Sequence, residues 1–261
     1  MKVVILAGGL GTRISEESHL KPKPMIAIGE QPILWHIMKY YSTFGFTDFI
    51  ICCGYKGYII KEYFADYYLH RSDVTFDFSA GNRMTVHSNV AEPWRVTLVD
   101  TGLNTQTGAR IKRVQHYIGD EPFLLTYGDG VSDVDLNALV AQHRNSGKLV
   151  TLTGIQPGGR FGVLDLGEDA TTVLGFREKA REDGGWINGG FMVMEPEVFS
   201  YLSPQESCIL EREPMERLAA EGRLGIYRHY GFWQCMDTQR DKGRLEALWR
   251  AEKAPWKRWE E

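Results

Sequence analysis

Little in this sequence points toward a membrane, a nucleic acid or an oxidising compartment. No apolar run approaches the roughly 20 residues that a bilayer requires, and the first residues lack the layout of a secretory leader. Thirty basic residues stand against 34 acidic ones, for a net charge of −4, so the basic footprint of a nucleic-acid binder is missing. Cysteine is scarce, at four residues. Cys52 and Cys53 adjoin in an apolar run, Cys208 and Cys235 stand alone, and none has zinc-ligand spacing. All four are expected to be reduced packing residues. Repeats, low-complexity tracts and linkers are also missing. The expectation is a cytoplasmic globular protein of one domain, residues 1–261, long enough to bury a full core. The seven histidines are scattered, and no Ser-His-Asp or Cys-His set suggests a covalent nucleophile.

What is present begins at residue 3. The apolar run 3–6 predicts a buried strand, which breaks into Ala7-Gly8-Gly9-Leu10-Gly11. Backbone without Cβ atoms lets an anion approach closely while successive N–H groups converge on it. Arg13, Lys21 and Lys23 add positive charge beside that loop, which predicts a polyphosphate site. Two commoner motifs do not fit. A dinucleotide fingerprint needs glycine at positions 1, 3 and 6, and counting from Gly9 puts Ile14 at the sixth; this argues against a nicotinamide-dependent oxidoreductase. A P-loop ends in Gly-Lys-Ser/Thr, whereas this loop ends in Gly11-Thr12-Arg13. In K-P-K-P-M (21–25), Pro22 and Pro24 fix φ and bias the residues before them toward extended conformations. A stiff extended segment presenting both lysines to phosphate is therefore expected.

Farther along, Pro32 opens a helical pattern with Ile33, Leu34, Ile37, Met38 and Tyr41 on one face. A strand at 48–53 and a helix at 58–69 follow. This β-α-β-α order with glycine at the turns predicts a mainly parallel sheet covered by helices. Alternation at 74–78 and 84–87 predicts a hairpin insert, about 72–92. Strands are expected at 95–99, 123–127, 149–155, 161–166, 172–177, 224–230 and 232–236, and an interrupted apolar run spans 187–194. Helices are expected at 109–117, 135–144, 196–202 and 213–221. A C-terminal amphipathic helix near 238–253 leads into a Trp-rich tail ending at 261. Asp129, between glycines after the 123–127 strand, lies where open α/β sheets place ligands, with room for a nucleotide and a hydrated magnesium ion. Asp237 has a similar place after the 232–236 strand. Between them, Arg160-Phe161-Gly162, Glu178-Lys179 and Ile187-Asn188-Gly189-Gly190 offer partners for sugar hydroxyls and a lysine for phosphate.

Taken in order, L-A-G-G-L-G-T-R (6–13), K-P-K-P-M, G-D-G (128–130), R-F-G, E-K, I-N-G-G and Asp237 resemble the sugar-1-phosphate nucleotidylyltransferases over essentially the whole chain. I-C-C-G-Y-K-G (51–57), the hairpin insert, V-D-T-G (99–102), T-G-A-R (107–110) and G-F-W-Q-C-M-D-T (231–238) resemble the branch that uses CTP. The resemblance implies a Rossmann-like α/β fold. It also implies the reaction of CTP with α-D-glucose 1-phosphate to CDP-glucose and pyrophosphate, magnesium-dependent and without a covalent intermediate. The triphosphate would lie on Gly8, Gly9, Leu10, Gly11 and Thr12 with Arg13 and Lys23. Cytosine and ribose would lie near Leu6, Ala7, Gly8, Thr105, Thr107, Arg110 and Gly128. Magnesium would fall to Asp129 and Asp237, and the sugar phosphate to Gly162, Glu178, Lys179, Asn188 and Gly190. Arg13, Lys23 and Asp129 would be catalytic. The chain departs from the family's common pattern at Ala180, where proline is frequent, and at Ala109, where the cytidylyl loop often has glycine. Alternatives left open are a uridylyl- or thymidylyl-transferring sibling and a non-catalytic sugar-nucleotide sensor. The implied setting is deoxysugar supply for bacterial surface polysaccharide such as lipopolysaccharide O-antigen. A homo-oligomer is expected, with the hairpin and Trp249, Trp256 and Trp259 as interface, unless the tail folds back on the core.

Overall fold

The computed structural model describes residues 1–79, 81–88, 90–156, 163–169, 171–177 and 185–259. Strands β1 (Val3–Ala7), β2 (Asp48–Cys53), β3 (Arg95–Asp100), β4 (Phe123–Tyr127), β5 (Val150–Ile155), β6 (Ile187–Asn188), β7 (Met192–Met194) and β8 (Leu224–Arg228) build one sheet. Across it the order is β3-β2-β1-β4-β7-β5-β8, with β6 also paired to β5. The first four are parallel, β7 runs antiparallel to β4 and β5, and β8 is parallel to β5.

Strand β1 is central and buried along its whole length, Val3 lying between Phe49 and Leu124. Its side chains alternate between two cores. Val3 and Ile5 face one cluster with helix α1 (Ile33–Ser42), while Val4 and Leu6 face the other with Ile111 and Leu152. A strand covered on both faces reads as a continuous apolar run, which is why V-V-I-L-A carries no polar residue. From β1 the chain moves outward through β2 and β3, then returns to β4 on the opposite side. The connections leaving the carboxyl ends of β1 and β4 therefore part at a switch point, where sheets of this kind leave a crevice. The Rossmann-like expectation holds.

Some local expectations change. The 58–69 helix divides at Asp66 into Gly57–Ala65 and Tyr67–His70, and the 109–117 helix begins at Thr107 and divides into Thr107–Arg113 and Gln115–Ile118. Lys23 is not in an extended segment. Pro22 is extended, at φ −65° and ψ 147°, but Lys23–Met25 closes a 3-10 turn in which Met25 N–H donates to Pro22 O at 2.8 Å. Pro24 suits the second position of that turn, where an N–H would lack a partner. The hairpin forms from Val74–Asp77 and Arg83–Val86, with Phe76, Phe78, Met84 and Val86 exposed. Among the cysteines, which are free, Cys52, Cys53 and Cys235 are buried, and burial pushes their thiols up.

The tail does fold back. After helix Gln239–Arg250, started by a capping box of Thr238 and Asp241, Trp256 is fully buried against Phe232, Trp249 and His36. Trp256 Nε1 donates to His36 Nδ1 at 3.4 Å, so the proton on this ring lies on Nε2, 2.8 Å from Ile28 O. Burial lowers the His36 pKa to about 4, against the opposing effect of bonds to the Ile28 and Gln31 carbonyls. As pH falls from 6.5 toward 4, the unfolded chain takes up this proton before the folded one. Stability is lost across that window, by on the order of 3 kcal/mol. Thermal unfolding between pH 7 and 5 should show the slope, and His36→Gln should flatten it; an unchanged slope would assign the loss to other groups.

Candidate active site

A cavity of about 340 Å³ opens at the switch point. Leu6, Ala7, Gly8, Gly9, Gly11, Thr12, Arg13, Lys23, Thr105, Thr107, Arg110, Gly128 and Asp129 all line it, joined by Pro24, Gln106 and Tyr127. Leu10 belongs to the same loop but is half exposed and forms no part of the wall. Residues from four separate stretches of chain thus converge because β1 and β4 are neighbours.

Asp237 reaches this place by a second route. Strand segment Trp233–Cys235 pairs with Gly130–Ser132, and Met236 N–H donates to Asp129 O at 2.8 Å. Asp237 N–H is then held by Asp241 at 3.2 Å, at the start of the C-terminal helix. Lys23 Nζ sits between the two carboxylates, 2.6 Å from Asp129 Oδ2 and 2.5 Å from Asp237 Oδ1. Arg13 Nη1 lies 2.6 Å from Asp237 Oδ2. Burial would lower the Lys23 pKa, but the charges and hydrogen bonds of Asp129 and Asp237 outweigh it and raise it overall. Burial likewise opposes ionisation of Asp237, and Lys23 with Arg13 overcomes that and lowers its pKa. Two carboxylates converging on one ammonium nitrogen have the geometry to share a cation. Their hard oxygen donors suit a divalent ion completed by phosphate and water oxygens.

Arg110 is buried and holds the walls together. Its terminal nitrogens donate to Gly8 O at 3.1 Å, Cys53 O at 3.2 Å, Thr101 Oγ1 at 2.7 Å, Gly102 O at 2.7 Å and Leu103 O at 3.2 Å. It lines the cavity where the base is expected, but its donors are engaged with the protein. This explains Gly8, where a Cβ would fall 2.2 Å from Arg110 Nη1. Gly8→Ala must displace the guanidinium and, with it, the carbonyl scaffold of the loop. Steady-state kinetics should show nucleotide KM raised roughly tenfold to a hundredfold, the scale of a misplacement of about 1 Å. An unchanged KM would mean that Arg110 moves without consequence.

On the other side of Tyr127 lies the expected sugar end. Asn188 Nδ2 donates to Tyr127 Oη at 3.3 Å, and its Oδ1 accepts from Gly190 N–H at 2.9 Å. Gly190 has φ +76°, and a Cβ there would press on the Tyr127 ring at 2.9 Å. Gly162, Glu178 and Lys179, with Arg160, Phe161 and Ala180, lie outside the described residues. The adjoining strands Val163–Leu166 and Val173–Arg177 pair antiparallel.

No motif in the sequence points to Glu211. Thr107 Oγ1 donates to Glu211 Oε2 at 2.6 Å, and Tyr127 Oη donates to Glu211 Oε1 at 2.5 Å. Burial, and then the Glu211 carboxylate, push the Tyr127 phenol well above its ordinary value of 10.0, so it stays a donor. In the sequence Glu211 stands just before helix Glu213–Ala220, where an acidic residue is unremarkable beside the positive end of the helix dipole. Tyr127 was findable, being the last strand residue before Gly128-Asp129.

The chain belongs to the nucleotidyl transferase family, which matches residues 2–256. It is 58% identical to the glucose-1-phosphate cytidylyltransferase of Salmonella typhi over 261 residues, 100% of both chains. It is 44% identical to the probable glucose-1-phosphate cytidylyltransferase of Bacillus subtilis (strain 168) over 259 residues, 99% of this chain and 100% of that one. Among solved structures, HddC from Yersinia pseudotuberculosis superposes with a TM-score of 0.73 at 24% identity, covering 95% of this chain and 99% of its own. That last likeness bears on the fold alone.

Proposed function

We infer that this chain transfers the cytidylyl group of CTP to α-D-glucose 1-phosphate, giving CDP-glucose and pyrophosphate. The observation that carries this reading is full-length identity of 58% to a glucose-1-phosphate cytidylyltransferase. A switch-point cavity lined by a glycine loop, three cationic side chains and a carboxylate gives the reaction a physical basis.

An oxygen of the sugar phosphate must attack the α-phosphorus, which assembles about five or six negative charges. Backbone N–H groups of residues 8–12 cradle the triphosphate, while Arg13 and Lys23 offset its charge and steady the departing pyrophosphate. Lys23 is bound to both aspartates in the structure, so its position relative to the phosphates is set by them. Asp129 and Asp237 would hold magnesium, which supplies charge neutralisation and a template for phosphate oxygens when bound. The attacking phosphate is already ionised, so no general base is needed, and alignment does the remaining work. Gly162, Glu178, Lys179, Asn188 and Gly190 are proposed to bind the sugar phosphate. The reaction belongs in the cytoplasm, where both substrates are made, and its product suits deoxysugar supply for surface polysaccharide. The exposed apolar strands of the hairpin are the proposed contact of a homo-oligomer.

Incubation with CTP, glucose 1-phosphate and magnesium should yield CDP-glucose and pyrophosphate in equal amounts by phosphorus NMR. Binding of CDP-glucose without any turnover would favour a sensor instead. Arg13→Ala should lower kcat by roughly a hundredfold. Because Arg13 is largely exposed, with a side chain 72% accessible, the unfolding midpoint should barely move. Retained kcat in this variant would remove Arg13 from the mechanism.

A further inference from the structure

The cavity needs a feature that separates cytosine from uracil or thymine. Among its uncharged polar walls, Gln106 carries an amide that can turn to donate or accept, so it suits either base. The guanidinium of Arg110 can only donate, and a donor meets O2 of cytosine and uracil alike. Thr107 differs from both. Its hydroxyl proton points to Glu211 Oε2 at 2.6 Å, and its oxygen already accepts from Leu210 N–H at 2.9 Å. A hydroxyl has one proton and two lone pairs, so what is left on Thr107 Oγ1 is a single acceptor site. The other oxygen of Glu211 accepts from Tyr127 Oη at 2.5 Å.

We propose that Glu211 determines the choice of base by fixing Thr107 as an acceptor. The inference rests on the CTP reading above and names the residue pair behind it. The exocyclic N4 group of cytosine donates, whereas O4 of uracil and thymine accepts. An acceptor-only Thr107 therefore receives the cytosine amine and sets oxygen against oxygen with the other two. Glu211 acts through Thr107 and is a positioning residue. A site that opposes two acceptors discriminates more strongly than one that merely lacks a contact.

The test is the ratio of kcat/KM for CTP to that for UTP. In Glu211→Met, which keeps bulk but removes both acceptor oxygens, Thr107 can rotate its proton toward O4, and the ratio should fall roughly tenfold or more. Thr107→Val should give a similar fall, and Thr107→Ser should keep the ratio. Tyr127→Phe removes the other donor to Glu211 but not Thr107, so it should keep the ratio even if both substrates bind less well. A merely structural role for Glu211 would weaken CTP and UTP alike, so an unchanged ratio in folded Glu211→Met overturns the proposal. If that variant does not fold, the Thr107 pair decides, and an unchanged ratio in Thr107→Val overturns it. A wild-type chain without CTP preference would overturn the underlying reading as well. Wild-type preference with unaltered variant ratios would overturn this inference alone.

Discussion

Lys23→Ala should lower kcat by roughly a thousandfold, with a smaller rise in the KM for CTP. The ammonium lies within 2.6 Å of both Asp129 and Asp237, beside a cavity lined by the glycine loop. Removing it takes away a fixed charge where charge develops on the leaving pyrophosphate, and such losses are worth about 10²–10³ in rate. It also leaves two carboxylates facing one another. These groups retain some solvent contact, with side-chain exposures of 28% and 14%, so the stability cost is about 1–3 kcal/mol, below that of a fully buried pair. The pH dependence has a definite sign. Asp237 is lowered from 3.8 and Lys23 raised from 10.5. Their mutual stabilisation is therefore fully present between those values, is lost as pH falls below the first, and is lost as pH rises past the second. The wild-type and Lys23→Ala unfolding midpoints should stay a constant distance apart from about pH 5 to pH 9. Near-normal turnover in the variant would remove Lys23 from the mechanism.

Asp129→Asn should cut kcat by roughly a hundredfold or more and raise the magnesium needed for half-maximal activity about tenfold. The substitution keeps the size of the side chain and an oxygen that can accept from Lys23, so folding should be retained. It removes one of the two negative charges that face the shared cation position. Manganese binding, followed by its paramagnetic resonance in the presence of CTP, separates this from a general defect. Weakened binding is expected, and unchanged binding with normal kcat would exclude Asp129 as a ligand.

The features that were readable from the sequence are those set by local chemistry. Apolar runs at 3–6, 48–53 and 123–127 ending in glycine announce buried parallel strands, and their carboxyl ends place the cavity. Lys23 was expected in an extended segment because the proline rule is local, whereas its 3-10 turn accompanies ion pairs reaching 106 and 214 residues away. The T-G-A-R motif brings Arg110 to the cavity wall, but the carbonyl cage around it comes from backbone drawn out of three other loops. Glu211 and Thr107 are 104 residues apart, and no spacing or periodicity connects them. The sequence is compatible with a tail that is exposed or folded back, and the packing of Trp256 on His36 decides between them. Amphipathic pattern identifies an apolar face but does not say what covers it.

The most direct test of the central reading is pyrophosphate release from glucose 1-phosphate with CTP, UTP, dTTP, ATP and GTP in turn. CTP should be used with a kcat/KM well above that of the other four, with CDP-glucose as the product. A clear preference for UTP or dTTP would contradict cytidylyl transfer and place the chain in a sibling branch of its family.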